Sequence, residues 1–93
     1  MAIQMAKKIY KYDVPLVGRP AIVMKKGAEI IHVEEQHGIM RLWAVVDPRA
    51  EEETRNFTIV GTGHDMPKNY KVKHVGSLLT EGGAFVWHLF EEG

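Results

Sequence analysis

Apolar and polar residues alternate along most of this chain in short runs, and glycine or proline breaks the alternation about every ten residues. That is the rhythm of short strands joined by turns. The pattern predicts seven strands, at 7–14, 20–24, 28–36, 39–46, 55–61, 70–79 and 84–91. One segment reads differently. In Asp47-Pro48-Arg49-Ala50-Glu51-Glu52-Glu53 a capping aspartate precedes a proline suited to a first helical position, and glutamates follow at the positive end of a helix dipole. One or two helical turns are expected there.

Two hairpins carry register. Apolar-rich runs flank His37-Gly38, a polar residue followed by glycine, which is what a two-residue hairpin turn asks for. With that turn Gln36 faces Ile39, Glu34 faces Arg41, Val33 faces Leu42, His32 faces Trp43, Ile31 faces Ala44 and Ile30 faces Val45. Val33, Leu42, Ile31 and Ala44 then form a core face. Ile30, Ile39, Trp43 and Val45 share the outer one, with Arg41 and His32 among them. A second sheet is expected to cover that outer face, the alternative cover being another subunit. The second hairpin turns through Thr80-Glu81-Gly82-Gly83. Its expected register sets Leu79 against Ala84, Leu78 against Phe85, Ser77 against Val86, Val75 against His88, and Trp87 over the bare backbone of Gly76. His74 and His88 fall on opposite faces in that register.

Seven short strands and one helical turn predict an all-β fold, a small antiparallel β-sandwich or squashed barrel. A chain of 93 residues has room for one thin core. The domain is expected to span 5–93, with residues 1–4 as a loosely ordered N-terminal extension, because Met5-Ala6-Lys7-Lys8 reads as a natural beginning.

Composition narrows the function classes. Twelve Lys and Arg balance twelve Asp and Glu, so no basic excess points to duplex nucleic acid. The absence of cysteine removes disulfides, thiolate catalysis and Cys-based zinc sites, and suits a cytoplasmic setting. No apolar run reaches the ~18 residues of a membrane span. The five histidines (32, 37, 64, 74 and 88) show no tight metal-ligand spacing, so neither a metal nor another cofactor is expected. Ser77 reads as a packing serine in an apolar strand, and Glu51 to Glu53 as a solvated run. The chain is therefore expected not to be an enzyme.

The candidate binding residues are few. Gly61-Thr62-Gly63-His64 follows a strand, and consecutive glycines expose backbone N–H groups that can cradle phosphate. No helix and no Lys-Ser/Thr completes a nucleotide-hydrolase loop. Arg41 and Lys26 are the cations assigned to phosphate, and Trp43 is the face assigned to a base.

Lys8-Ile9-Tyr10-Lys11-Tyr12, Lys26-Gly27-Ala28-Glu29-Ile30 and Leu42-Trp43-Ala44-Val45-Val46-Asp47-Pro48 together resemble an uncharacterised family of small phage and prophage proteins. Phe57, Gly61-Thr62-Gly63-His64, Val75-Gly76-Ser77 and Gly82 to Glu91 continue the likeness, which runs from Met5 to Glu91. Glu35 and Arg41 depart from it in being charged. The resemblance implies a phage gene product, and by analogy of size and setting a non-catalytic counter-defence protein of the host cytoplasm. The expected activity is sequestration of a phosphorylated nucleotide immune signal by a homo-oligomer, without membrane or duplex nucleic acid as partner. The alternatives are a protein-binding inhibitor or adaptor of a host factor, and a virion accessory protein.

Overall fold

The computed structural model describes residues 6–93, so the expected extension at 1–4 lies outside the described residues. Seven strands form: β1 (Lys8–Asp13), β2 (Ala21–Lys25), β3 (Glu29–Gln36), β4 (Ile39–Val46), β5 (Glu52–Gly61), β6 (Val72–Thr80) and β7 (Phe85–Glu92). They make a three-stranded sheet in the order β1-β4-β3 and a four-stranded sheet in the order β2-β5-β7-β6, with every pairing antiparallel. The alternation read from the sequence is the cause. Met40, Leu42, Ala44 and Val46 bury one face of β4, while Ile22, Met24, Phe57, Leu78 and Leu89 bury the facing side of the other sheet. The result is the predicted all-β sandwich.

The first hairpin turns at His37-Gly38 with φ of 54° and 80°. Positive φ at both central residues is the turn that matches strand twist. From there the expected register holds through His32 opposite Trp43. It then shifts at a β-bulge between Ile30 and His32, so Ile30 pairs with Ala44 and Glu29 with Val45. The bulge corrects two assignments. Ile31 is extruded to solvent at 51% exposure, and Ile30 packs against the core in its place. The second sheet covers the Leu42 face of this hairpin, so among the described residues no strand covers the side that carries Trp43 and Ile39.

The second hairpin is two residues out of its expected frame. Thr80 pairs with Phe85, Leu79 with Val86, Leu78 with Trp87, Ser77 with His88 and Gly76 with Leu89. The turn occupies Glu81–Gly83, a single 3-10 turn in which Glu81, Gly82 and Gly83 all take positive φ. A second bulge, between His74 and Gly76, restores His74 to the face of Ser77 and His88. The expectation that His74 and His88 fall on opposite faces of the sheet is thereby overturned.

The helical turn expected at 47–53 is a β-turn instead. Asp47 accepts the Arg49 amide through its side chain at 3.0 Å and the Ala50 amide through its carbonyl at 3.0 Å. Aspartate before proline starts such a turn as readily as a helix. The glutamates then extend β5, where Glu52 pairs with Lys25 and Glu53 with Met24.

Gly76 sets the spacing where the two sheets meet along β3 and β6. A Cβ there would lie 3.1 Å from a methyl of Val33, and not beneath Trp87 as the sequence suggested. Gly76→Ala is therefore expected to destabilise the fold by about 1–3 kcal/mol, read by urea unfolding. Val33→Ala in the same chain should recover part of that loss.

Because β5 and β6 both run antiparallel to β7, the 62–71 segment must return the length of the sheet. It is tied down at Tyr70, whose hydroxyl lies 3.1 Å from Thr58 Oγ1 and whose ring sits 4.3 Å beneath the Arg19 guanidinium. Arg19 also holds both carboxylate oxygens of Glu92, at 2.8 and 3.1 Å. That hydrogen bonding holds the Glu92 carboxyl below the ordinary carboxylate range.

Candidate functional site

β5 ends at Gly61, beside the start of β7. A Cβ on Gly61 would fall 2.9 Å from the His64 ring and 3.1 Å from the Trp87 ring, so only glycine lets both rings close in. His64 is carried back by a tight turn in which its amide donates to the Gly61 carbonyl at 3.0 Å, with Gly63 at φ 88°. Phe85 and Trp87 project from the same face of β7 and stack, with centroids 6.1 Å apart and planes 26° from parallel. His64 meets Trp87 edge-on at 6.4 Å. Trp87 is anchored by its indole N–H, which donates to Thr80 Oγ1 at 2.9 Å. These groups line an open cleft of about 250 Å³ between the Gly61–His64 turn and the first residues of β7. Phe85 is 53% exposed at its mouth. No lysine or arginine is among the lining residues, so the cleft offers aromatic faces and one imidazole rather than a charge cradle.

A second cluster occupies the outer face of the same sheet. Ser77 Oγ lies 2.7 Å from His88 Nδ1 and 2.9 Å from His74 Nε2. His88 Nε2 lies 2.9 Å from Thr62 Oγ1, whose hydroxyl is directed at the Val86 carbonyl at 3.5 Å. His74 packs edge-on against Phe90 at 5.3 Å. The side chains come from three strands' worth of chain: Thr62 just past β5, His74 and Ser77 from β6, His88 from β7. Sequence reasoning set Ser77 aside as packing, yet it is exposed. The signal that could have found it was the pairing of Ser77 and His88 on neighbouring strands, which a two-residue error in register concealed.

The seven residues assigned to ligand binding do not form one site. Gly61, Thr62 and His64 line the cleft, and Gly63 shapes its turn. Trp43 lies on the other sheet, against His32 at 5.4 Å. Arg41 is on that sheet too, donating to Gln36 Oε1 at 2.7 Å. Its Nε lies 3.1 Å from Asp13 Oδ1 but off the hydrogen-bonding line, a coulombic contact that still occupies the guanidinium. Lys26 sits in the turn between β2 and β3, where its amide donates to the Glu51 carbonyl at 2.7 Å. Trp87 and Phe85 hold the place by the glycines that Trp43 was expected to fill.

Among the described residues, no three His, Asp or Glu side chains gather closely enough to hold a metal ion, and no helix is long and apolar enough to cross a membrane. No curated protein and no solved structure matches the chain. The family comparison does match, over residues 5–93, and on that extent the chain belongs to the family described as a domain of unknown function, DUF7352.

Proposed function

We propose that this protein is a ligand-binding module that takes the base of a nucleotide into the cleft beside Gly61 and releases the molecule unchanged. The observation that carries the reading is the Phe85–Trp87 stack, whose Phe85 ring stands half exposed at the mouth of the cleft while His64 and Trp87 close over Gly61 at its floor. Base–aromatic stacking contributes about 1–3 kcal/mol per base. With no cation lining the cleft, the phosphates of a bound nucleotide face solvent. Affinity then comes from the ring and depends little on salt, unlike binding built on phosphate contacts. The setting we propose is that of a phage counter-defence factor sequestering a phosphorylated nucleotide signal in the host cytoplasm, which rests on the family resemblance and the small size of the chain.

The test is a thermal-shift screen against mononucleotides and cyclic dinucleotides at low and high salt. A ligand at a hundred times its Kd stabilises the folded state by about 2.7 kcal/mol. The expected result is a stabilisation that survives high salt, persists in Arg41→Ala and leaves the nucleotide chemically intact. No shift with any nucleotide, or a shift lost in Arg41→Ala, contradicts the reading.

A second reading has its own support. The uncovered face of the three-stranded sheet carries Ile9, 59% exposed, beside Val45 and Trp43 across β1 and β4, with Ile39 at 40% further along. Aromatic and aliphatic residues on an open sheet face suit an interface. We propose that copies of the chain associate through it. Sedimentation at micromolar concentration should show a dimer or larger species, and Trp43→Asp should shift it to monomer. A wild-type monomer at high concentration would remove this reading.

A further inference from the structure

We infer that Ser77 is an activated nucleophile and that the outer face of the four-stranded sheet is a second site, one that accepts the acyl group of a small, positively charged carboxylic ester. The inference does not rest on the nucleotide cleft. It rests on the close approach of Ser77, His88, His74 and Thr62. The Val86 carbonyl, which takes the Thr62 amide at 3.1 Å, also lies 3.5 Å from the Thr62 hydroxyl; with the hydroxyl donating there, Thr62 accepts from His88 Nε2–H. In that arrangement His88 carries its proton on Nε2 and leaves Nδ1 bare, 2.7 Å from Ser77 Oγ. Ser77 therefore donates to His88. A neutral His74 with its proton on Nε2 completes the chain by donating to Ser77 Oγ at 2.9 Å. A hydroxyl hydrogen-bonded to a base, with that base oriented by a third group, is the arrangement that activates a serine. One lone pair of Oγ is held by His74, and the other is free to attack.

The surroundings suggest the substrate. Ser77 and Leu79 form one wall of a groove of about 400 Å³ where β6 runs beside β3, and Glu34 and Glu35 line the other side. Glu34 is well exposed, with its carboxylate 3.7 Å from His32. The groove joins an apolar wall to two carboxylates and has no lysine or arginine among its lining residues, so it favours a cationic substrate over an anionic one. β6 is the edge strand of its sheet, and an edge leaves backbone N–H groups free to hydrogen-bond. Such donors are what an oxyanion needs.

The reaction follows. Ser77 Oγ attacks the ester carbonyl carbon while His88 Nδ1 takes the hydroxyl proton. The tetrahedral adduct collapses, the bond to the leaving oxygen or sulfur breaks, and His88 returns the proton to it. The products are acyl-Ser77 and the free alcohol or thiol. Water, deprotonated by His88, then attacks the acyl group, releasing the carboxylic acid and regenerating Ser77.

The test uses the whole chain with p-nitrophenyl acetate and acetylthiocholine as probes. Peptide mass spectrometry locates the acetyl group, and release of the chromophore or thiol gives the rate. Acetylation at Ser77 is expected well above the background on surface lysines, and His88→Ala is expected to slow it about a hundredfold. Thr62→Val, which frees the His88 tautomer, should slow it as well, while melting curves show the variants folded. Glu34→Gln with Glu35→Gln should lower the rate with acetylthiocholine more than with p-nitrophenyl acetate. Acetyl groups on lysines alone, or a Ser77 rate unchanged in His88→Ala, would overturn the nucleophile. Equal effects of the glutamate changes on both probes would overturn the cationic substrate.

Discussion

Replacing Arg55 by alanine is expected to destabilise the fold by about 3 kcal/mol. Arg55 lies on the inner face of β5, its side chain only 16% exposed, and it grips Glu91 on β7 through two bonds of 2.6 and 2.7 Å. Its third contact reaches the other side of the sandwich, where Nη1 donates to the Ala28 carbonyl at 2.6 Å. The bond to Glu91 also raises the affinity of the guanidinium for its proton. Truncation to alanine leaves the Glu91 carboxylate and the Ala28 carbonyl without partners at the mouth of the core, and those orphaned groups, more than the lost attraction, carry the cost. The pair itself is a different matter. Arg55→Met with Glu91→Leu removes both charges and should recover most of the loss, since a desolvated ion pair is often no better than well-packed apolar side chains, and fall short of wild type only by the Ala28 carbonyl that stays without its donor. Urea unfolding of the two single variants and the double variant checks this. Additive losses in the double variant would mean that the residues do not act as a pair.

Phe85→Ala carries the second large effect, a loss of nucleotide affinity of about tenfold to a hundredfold. Phe85 is half exposed and stands outside the core cluster, so its truncation removes a stacking face with little change in stability. Trp87 supplies the other ring but also packs against the core, so Trp87→Phe is its cleaner probe. Gly61→Ala should act with them, because the added methyl meets His64 at 2.9 Å and Trp87 at 3.1 Å and closes the cleft from its floor. Calorimetric titration of the three variants measures the effect. A wild-type affinity in Phe85→Ala would place the ligand elsewhere.

What could be read in the sequence follows from how locally each feature is determined. The first hairpin was legible because a two-residue turn at His37-Gly38 admits one register. Its bulge was not, because Ile30 and Ile31 are equally apolar and alternation alone cannot choose between them. The spacing Ala28, Ile30, Val33 was the trace it left, two steps followed by three. The second hairpin failed for the opposite reason. Gly82 and Gly83 let the chain turn in more than one frame, and a shift of two residues keeps every side chain on its own face, so alternation could not choose between the frames. At Asp47-Pro48 the helix-start and β-turn signals are the same residues, and the pairing of β5 with β2 decides between them.

The site was legible only in part. Gly61 to His64 marked the cleft because glycine at a strand exit is a local feature. The choice of tryptophan could not be made that way. Trp43 and Trp87 both lie in apolar strands, and the strand order β2-β5-β7-β6 is what puts Trp87 beside Gly61. Arg41 was assigned to a ligand on charge alone, while the β1–β4 pairing gives it Asp13. The Ser77 cluster depends on that strand order and on the bulge beside His74 at once, so nothing in the linear spacing announced it.

The chain has two tryptophans, and that makes the central claim directly measurable. In Trp43→Phe the only indole emission comes from Trp87, in the cleft; in Trp87→Phe it comes from Trp43, on the far sheet. Titrating both proteins with a nucleotide that stabilises the wild type should quench the first saturably, with the wild-type Kd, and leave the second unchanged. Quenching of Trp43 with Trp87 silent would contradict the assignment of the cleft and return the ligand to the opposite sheet.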